Sequence, residues 1–228
     1  MTAASTTTAR TQQLRERFAA AQMPNYGLPP VALSHGDGST VYDVDGVEYL
    51  DFIGGIAVSG LGHNHPALVE AVSTQVSKLA HSSNLFLNEP EIALAEKLLS
   101  LLDATGKVYF ANSGTEANEC ALKLAMTHAR ATGRDYFVAA RDGFHGRTLG
   151  ALALTGKESI REPFAPFGID VRFVDYGDTE ALADAVTPQC AAVFLEPTQG
   201  EAGIMPPPAG YFAAVRRICD ATGALFVA

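Results

Sequence analysis

The pattern of hydrophobic and polar positions changes near residue 106, and the second half of the chain alternates between two kinds of segment. Short apolar runs, typical of strands, are separated by stretches with helical spacing. The predicted strands are 107–112, 135–142, 170–177, 191–197 and 224–228, and the predicted helices among them are 115–132, 178–186 and 208–223. Strands that alternate with helices indicate βαβ units, so the sequence predicts an α/β fold with a mostly parallel sheet.

The first half has a different pattern. After a polar tail, helical spacing predicts a helix over about 11–22, and alternation around Asp45-Gly46 predicts an antiparallel hairpin. A glycine-rich loop ends at Pro66, which suits the first turn of a helix over 66–80, and a further helix is predicted over 89–102. We therefore expect an N-terminal segment, 1–66, and an incomplete larger domain, 67–228. Residues 1–20 are interpreted as a tail or, alternatively, as a mitochondrial transit peptide.

The last residues of the chain, 224–228, are apolar and begin a strand. A strand inside a sheet needs neighbours on both sides for its backbone N–H and C=O groups. We therefore expect the chain to be the N-terminal portion of a longer protein.

Composition limits the possible functions. Of the 228 residues, 47% are hydrophobic and 18% are charged, which supports a sizeable core. The net charge of −9 argues against a general nucleic-acid or membrane-surface binder, and no run of eighteen apolar residues predicts a membrane span. Cys120, Cys190 and Cys219 lie far apart, which is typical of free thiols in a reducing compartment. We expect a cytoplasmic protein without a metal site.

The first candidate site is the corner Ser113-Gly114-Thr115, where a predicted strand meets a predicted helix. Free backbone amides and the helix dipole suit a phosphate group there, and glycine allows a ligand to approach the backbone closely. An ordinary N-cap, with Glu116 and Glu119 completing the first turn, is the alternative. The chain has neither a Walker motif nor a GxGxxG fingerprint, which disfavours a nucleotide-binding or NAD-type domain.

The second candidate site is the glycine-rich loop within 142–156, which follows a predicted strand. Glycines beside Phe144 and His145 would allow an aromatic ring to lie flat against a planar ligand. The guanidinium group of Arg147 suits a carboxylate. The alternatives are a core phenylalanine, a loop histidine without a function and a surface ion pair.

The third candidate site is the segment 195–203, which follows another predicted strand. Glu196 and Glu201 could orient a substituent of a ring or pair with an arginine. Two solvated loop acids are the alternative. In a parallel sheet, the ends of such strands meet at one edge, so we expect the three sites to lie together.

These three loops resemble those of the class III aminotransferases, pyridoxal-phosphate enzymes of fold type I. The matching motifs are "NSGTEANE", "FHGRT" and "EPTQGEAG", with "YLDFIGGIAVSGLGHNHP" and "SNLFLNEP" upstream. The resemblance runs from about Arg10 to Ala228. It implies a large domain with helices on a parallel sheet, truncated before a C-terminal small domain, and a homodimer with shared active sites. Within the family the chain is most similar to the acetylornithine group, which implies transfer of an amino group from N-acetylornithine, or a related ω-amino substrate, to 2-oxoglutarate. Ornithine and 4-aminobutyrate are alternative donors.

The resemblance also implies roles for individual residues. The cofactor phosphate would be held by Ser113, Gly114 and Thr115, and its ring would lie against Phe144 with His145 beside it. The substrate would be bound by Arg147, Glu201, Tyr26 and Ile56, and the dimer interface would involve Asn84 and Leu85.

Two residues that the family's chemistry needs do not lie within the chain. By the family pattern, the aspartate that pairs with the pyridine nitrogen would directly follow Ala228, and the lysine that binds the cofactor covalently would come later. The lysines present do not match that position, and Lys157, near the Phe144 loop, is interpreted as a surface lysine. We therefore expect the chain alone to be inactive. A catalytically dead fragment that keeps the cofactor loops is the alternative function.

Overall fold

A computed structural model describes residues 9–102 and 105–228 of the chain. The chain divides into two compact units, residues 1–94 and 95–228, called here the first and second unit. Residues 1–8 of the predicted tail lie outside the described part, and residues 9–20 of it belong to a helix. The predicted domain boundary between residues 66 and 67 stays a prediction.

The first unit contains a small antiparallel sheet. Its strands, in the order β1-β2-β3, are β1 (Leu33–Asp37), β2 (Thr40–Asp43) and β3 (Glu48–Leu50). The predicted hairpin is confirmed, because β2 pairs antiparallel with β3. Asp43 stabilises the turn by accepting hydrogen bonds from the backbone N–H groups of Asp45 and Val47, both at 2.9 Å. The sequence did not indicate β1.

The remaining elements of this part are helical. They are α1 (Ala9–Ala21), the single turn α2 (Gly54–Ala57), α3 (Pro66–Lys78) and α4 (Glu89–Leu102), the last of which crosses the division between the units. Pro66 stands in the first turn of α3, as predicted. α2 is unusual because all four of its residues have positive φ, including Ile56 at 60° and Ala57 at 62°. This is the left-handed region, which β-branched residues rarely occupy.

The second unit confirms the predicted α/β fold. Its sheet has four parallel strands in the order β5-β4-β6-β7: β4 (Tyr136–Ala140), β5 (Asp170–Val174), β6 (Cys190–Phe194) and β7 (Leu225–Val227). Its helices are α5 (Gly114–Thr132), α6 (Leu149–Leu154), α7 (Glu158–Arg161), the 3-10 helix Glu162–Phe164, α8 (Thr179–Ala185) and α9 (Tyr211–Thr222). Among these helices, Asp178 caps the start of α8 by accepting a hydrogen bond from Ala181 N, and Gly223 ends α9 with φ of 75°.

Helices cover both faces of this sheet. All side chains of the central strands β4 and β6 are buried, as expected when both faces are packed. Tyr136 and Val138 of β4 pack in a cluster with α8 and α9, whereas Phe137, between them, packs in a cluster with α5. Successive side chains of β4 thus pack on opposite faces of the sheet. The packed sheet holds the loops at the ends of its strands in fixed positions.

One predicted strand is wrong. Residues 107–112 form no strand, and the side chains of Tyr109 and Phe110 are 65% and 38% exposed. A strand needs a neighbour to complete its ladder, and no segment of 9–102 or 105–228 pairs with these residues. An apolar pattern alone does not make a strand, because pairing decides whether a strand forms.

Candidate cofactor and substrate site

The corner at the start of α5 is capped by its own side chains. Ser113 is the N-cap residue, and its Oγ accepts a hydrogen bond from the backbone N–H of Glu116 at 3.2 Å. Glu116 in turn accepts a hydrogen bond from the backbone N–H of Asn112 at 2.6 Å. The alternative N-cap interpretation therefore holds for Ser113 and Glu116. These two capping contacts do not use the backbone N–H groups of Gly114 and Thr115, which remain available to another acceptor.

The corner has the properties that a phosphate group requires. In the described part of the chain, the backbone N–H groups of Gly114 and Thr115 have no acceptor, as is usual in the first turn of a helix. A Cβ atom placed on Gly114 would meet nothing within 4 Å, so the backbone is accessible. α5 has 19 residues, and its dipole favours an anion at this end. The residues present thus fit the phosphate of the predicted cofactor.

The Phe144 loop packs directly against this corner. Gly146, with φ of 136°, lies so close to Thr115 that a Cβ on Gly146 would be 2.8 Å from Thr115 Cγ2. Asn118 Nδ2 also donates a hydrogen bond of 2.8 Å to the carbonyl of His145. The structure therefore brings two of the predicted sites together, although residues 107–112, which precede the corner, form no strand.

Glu119 of α5 holds the far end of the same loop. Its Oε1 accepts hydrogen bonds from the backbone N–H groups of Gly150 (3.0 Å) and Ala151 (3.1 Å), and from the hydroxyl of Thr148. Glu119 thus satisfies the first turn of α6 rather than that of its own helix. Its partners lie about thirty residues further along the chain, so no local sequence signal could have shown this role.

Glu196 joins the second and third loops. Its Oε1 accepts a hydrogen bond from the backbone N–H of Phe144 at 2.8 Å, and its Oε2 accepts one from Gly200 N at 3.2 Å. Gln199 adds a hydrogen bond of 2.8 Å from its Nε2 to the carbonyl of Arg141. Each oxygen of Glu196 thus accepts a hydrogen bond from a backbone amide, and the interpretations of Glu196 as a partner for a ring substituent or for an arginine stay predictions.

His145 points into the protein interior. Only 7% of the residue is exposed, and its ring packs edge-on to Phe194 with centroids 6.3 Å apart. Its backbone N–H donates to Thr155 Oγ1 at 3.1 Å, while its buried Nε2 has no hydrogen-bond partner within 9–102 and 105–228. Burial lowers the pKa of His145 from 6.5 to about 4. The imidazole is therefore neutral at neutral pH.

A cavity of about 330 Å³ opens beside the Phe144 loop. It is lined by Asp142, Gly143, Phe144, Arg147, Lys157, Ile160, Glu201 and Ala202. The Arg147 guanidinium carbon, Cζ, lies 5.7 Å from the centroid of the Phe144 ring, close enough for a cation–π contact. Three residues predicted for the site, Phe144, Arg147 and Glu201, thus share one cavity. Lys157, interpreted from sequence as a surface lysine, is exposed but belongs to the same wall.

The other predicted site residues lie in the first unit. Tyr26 and Ile56 are 84% and 81% exposed there, and Leu85 is 87% exposed. Asn84, beside Leu85, is exposed as well. The substrate and interface roles of these four residues stay predictions.

A polar pair in the first unit holds the turn that carries Ile56. Asp51 Oδ1 accepts hydrogen bonds from the backbone N–H groups of Ile53 (2.9 Å) and Gly54 (2.8 Å), and Asp51 Oδ2 lies 2.8 Å from His63 Nε2. The hydrogen bond with His63 is the largest cause that lowers the pKa of the Asp51 carboxyl. The contact with the amides two and three residues ahead is an Asx motif that the sequence could have revealed.

Other chemistry is not supported by the described residues. Cys190 and Cys219 are buried free thiols, and burial raises the pKa of Cys190 to about 12. In the described ranges, no group of three or more His, Cys, Asp or Glu side chains is arranged to hold a metal ion. No helix of that part combines the length and the apolar composition of a membrane span.

The chain belongs to the class III aminotransferases, since the family description "Aminotransferase class-III" matches residues 21–228. The predicted family, fold class and cofactor type are thereby confirmed, because pyridoxal phosphate is the cofactor of this family. The chain is 57% identical over its whole length to the acetylornithine aminotransferase of Mycobacterium tuberculosis, of which it covers 56%. It therefore spans about half the length of the curated relatives it matches.

Solved structures agree with this assignment. The chain is similar to an N-acetylornithine aminotransferase from Stenotrophomonas maltophilia, with a TM-score of 0.75, 36% identity and coverage of 92% of this chain and 52% of that one. It is also similar to an ornithine aminotransferase from Toxoplasma gondii that has partial occupancy of pyridoxal phosphate at its active site. There the TM-score is 0.87, the identity 28%, and the coverage 97% of this chain and 53% of that one.

Proposed function

We propose that this chain supplies the cofactor-binding half of an aminotransferase that transfers the amino group of N-acetylornithine to 2-oxoglutarate. The observation that carries the proposal is the packing of the phosphate-accepting corner against the Phe144 loop through Thr115 and Gly146. The corner suits the phosphate group of a flat phosphorylated ligand, and the Phe144 loop suits its flat ring. The contact holds the two segments side by side. The identity of 57% to an acetylornithine aminotransferase supports the choice of donor.

Each residue of the site then has a defined task. The Gly114 and Thr115 amides bind the phosphate of the cofactor, with the dipole of α5 adding to the attraction. Phe144 lies against the cofactor ring, and Glu196 fixes the backbone of Phe144. When bound, pyridoxal phosphate supplies an electron sink that makes the Cα proton of the substrate acidic.

The substrate is bound on the side of Arg147. Its guanidinium group binds the α-carboxylate, because it is exposed in the cavity and forms a planar fork of donors. Glu201 lies in the same cavity. The resemblance implies that its carboxylate would pair with a substrate-binding arginine of the family. His145 stays neutral beside the ring and adds no charge there, since burial lowers its pKa.

Several further features follow from the resemblance. Tyr26 and Ile56 would contact the substrate, and isoleucine rather than tyrosine at position 56 favours acetylornithine or 4-aminobutyrate over ornithine. Asn84 and Leu85 would reach the active site of a second subunit in a homodimer. Three free cysteines are consistent with a protein of the cytoplasm.

One assay separates this function from the catalytically dead alternative. The 228-residue chain and the whole protein are each mixed with pyridoxal phosphate, N-acetylornithine and 2-oxoglutarate, and glutamate is measured. Glutamate from the whole protein but not from the chain alone supports the proposal. Cofactor binding without glutamate from either supports the dead alternative, and absence of cofactor binding contradicts both.

A second assay tests the corner itself. The affinity for pyridoxal phosphate is compared with that for pyridoxal, which lacks the phosphate, in the whole protein. We expect a preference of at least about tenfold for the phosphorylated form, which Gly114→Asp abolishes because its carboxylate repels the phosphate. Ser113→Ala, which removes only the cap side chain, should largely keep the preference.

A further inference from the structure

The cavity beside Phe144 is lined by two cations, neither of which is in an ion pair among the described residues. Arg147 and Lys157 both line it, and both are exposed. In the described part of the chain neither forms an ion pair, although Asp142 and Glu201 line the same cavity. The lining therefore has two cations and two acids with no net formal charge, and its cations are open to the carboxylate of a ligand.

The backbone holds Lys157 at this wall. Gly156, the preceding residue, donates a hydrogen bond of 2.8 Å from its N–H to the carbonyl of Gly143, in the loop that carries Phe144. The two segments are so close that a Cβ on Gly156 would fall 2.7 Å from Asp142 N. The backbone of Lys157 therefore lies one residue from a fixed contact with the Phe144 loop, and the residue itself is exposed.

The neighbouring arginines have structural partners within the described part of the chain, which distinguishes them from Lys157. The Arg161 guanidinium carbon, four residues after Lys157, lies 4.0 Å from the centroid of the Phe173 ring. Arg141, before the Phe144 loop, pairs with Asp175 at 3.0 Å. Of the two cations that line the cavity, Arg147 has a cation–π contact with Phe144, whereas Lys157 has no such partner among the described residues.

We propose that Lys157 is a second carboxylate-binding residue that selects the dicarboxylic 2-oxo acid over the amino donor. The inference rests on the proposed function, in which Arg147 binds the first carboxylate. Two cations in one cavity offer a separate contact to each carboxylate of a dianion. N-acetylornithine has a single carboxylate and needs only Arg147. A flexible ammonium group, without the planar geometry of arginine, suits the distal carboxylate of a dicarboxylate chain.

The test measures the two substrates separately in the holoenzyme of the whole protein. Lys157→Gln should raise the KM for 2-oxoglutarate about tenfold and leave the KM for the amino donor unchanged, whereas Lys157→Arg should stay within about threefold of the parent. Lys123→Gln is the matched control, because Lys123 lies on α5 and lines a different cavity with Tyr109 and Asn112. No change in the KM for 2-oxoglutarate, or an equal change for both substrates, would overturn the proposal.

A binding measurement separates this proposal from the proposed function. Calorimetric titration of the holoenzyme compares glutarate, a dicarboxylate, with butyrate, a monocarboxylate of similar length. Preference for glutarate that Lys157→Gln removes supports the carboxylate site even if no transamination is found. Absence of glutarate binding to the parent, or an unchanged preference in the variant, overturns the role of Lys157 even if transamination occurs.

Discussion

The carboxylate of Glu196 accepts a hydrogen bond of 2.8 Å from the backbone N–H of Phe144. This bond connects the end of strand β6 with the loop after β4, two strands that are neighbours in the sheet. The second oxygen of Glu196 binds Gly200 N in its own loop, so one carboxylate sets the spacing between two loops. The position of the Phe144 ring therefore depends on a residue that itself need not touch a ligand.

Replacement of Glu196 tests this dependence. Glu196→Ala removes both charge-assisted hydrogen bonds, and we expect a loss of about 1–3 kcal/mol in the free energy of unfolding. We also expect the affinity for pyridoxal phosphate to fall by about tenfold or more, because the ring of Phe144 is no longer held in place. Urea denaturation and cofactor titration measure the two effects.

Two variants serve as controls for Glu196. Glu196→Gln keeps one acceptor oxygen and should give an intermediate result. Glu180→Ala removes an acid from the first turn of α8, outside these loops, and should change stability only slightly and cofactor affinity not at all. Unchanged cofactor affinity in Glu196→Ala would show that Phe144 is positioned by other contacts.

The contact between Gly146 and Thr115 leads to a second prediction. Gly146→Ala places a methyl group 2.8 Å from Thr115 Cγ2 and 2.9 Å from Ala151 Cβ, at a φ of 136° that alanine rarely adopts. Steric overlap and backbone strain together should cost about 2–4 kcal/mol in the free energy of unfolding. The loop would also move away from the corner, so we expect cofactor affinity to fall when measured by titration.

Gly106→Ala is the matched control for Gly146. Its added methyl group has one neighbour, Leu99 Cδ2, at an ordinary contact distance of 3.7 Å, and no positive φ opposes it. We expect stability to change little or to rise slightly, because alanine restricts the unfolded chain. Similar losses in both variants would mean that the close packing at Gly146 does not hold the loop.

The elements of the second unit could largely be predicted from the sequence because their signals are local. Asp178 and Gly223 mark the ends of α8 and α9, and apolar runs mark the buried strands β4 and β6. Pairing is not local, which is why residues 107–112 were wrongly assigned to a strand. The short helix α6, with four consecutive buried apolar residues from Ala151 to Leu154, lacks the amphipathic spacing by which helices are recognised.

Only the residues of the candidate site that belong to recognisable motifs could be predicted from the sequence. The corner begins α5, Phe144 and Arg147 follow β4, and all three carry residue types that the sequence makes recognisable. The side chains that hold them, such as Asn118 and Glu119, bond to backbone groups more than twenty residues away. Their type and spacing do not differ from those of ordinary helix residues, so only the folded structure reveals them.

Burial of His145 leads to a prediction about pH. In the folded chain its pKa is lowered from 6.5 to about 4, so between these values the unfolded state binds a proton that the folded state does not. The contribution of neutral His145 to stability is therefore full above pH 6.5 and is lost as the pH falls to about 4. The expected loss is about 3 kcal/mol in the free energy of unfolding, measured by denaturation without cofactor.

Matched variants isolate this contribution from the carboxylates that titrate in the same range. His145→Gln cannot bind the proton, so its stability should fall less steeply than that of the parent between pH 6.5 and 4. His81→Gln, at an exposed position, should keep the parent's slope because His145 is still present. Parallel curves for the parent and His145→Gln would show that the imidazole is accessible to a proton in the folded chain.

The left-handed turn α2 leads to the last prediction. Ile56 is β-branched yet has φ of 60°. Among the described residues it is 81% exposed, so packing of its side chain does not explain why isoleucine occupies this strained position. Asparagine tolerates this conformation better, and Ile56→Asn should raise the free energy of unfolding by about 1 kcal/mol. Strain of this kind is often retained at functional positions. We therefore expect turnover of N-acetylornithine by the whole protein to fall in the same variant.

Ile53→Asn separates the two effects in Ile56→Asn. Ile53 is also exposed, at 71%, but its φ of −94° is ordinary, so asparagine relieves no strain there and stability should not rise. Denaturation of both variants, together with KM and kcat for the amino donor, gives the comparison. A stabilised Ile56→Asn with full turnover would remove Ile56 from the substrate site. If Ile56→Asn is not stabilised, the claim that Ile56 strains the backbone of α2 is wrong, because the substitution is expected to relieve that strain.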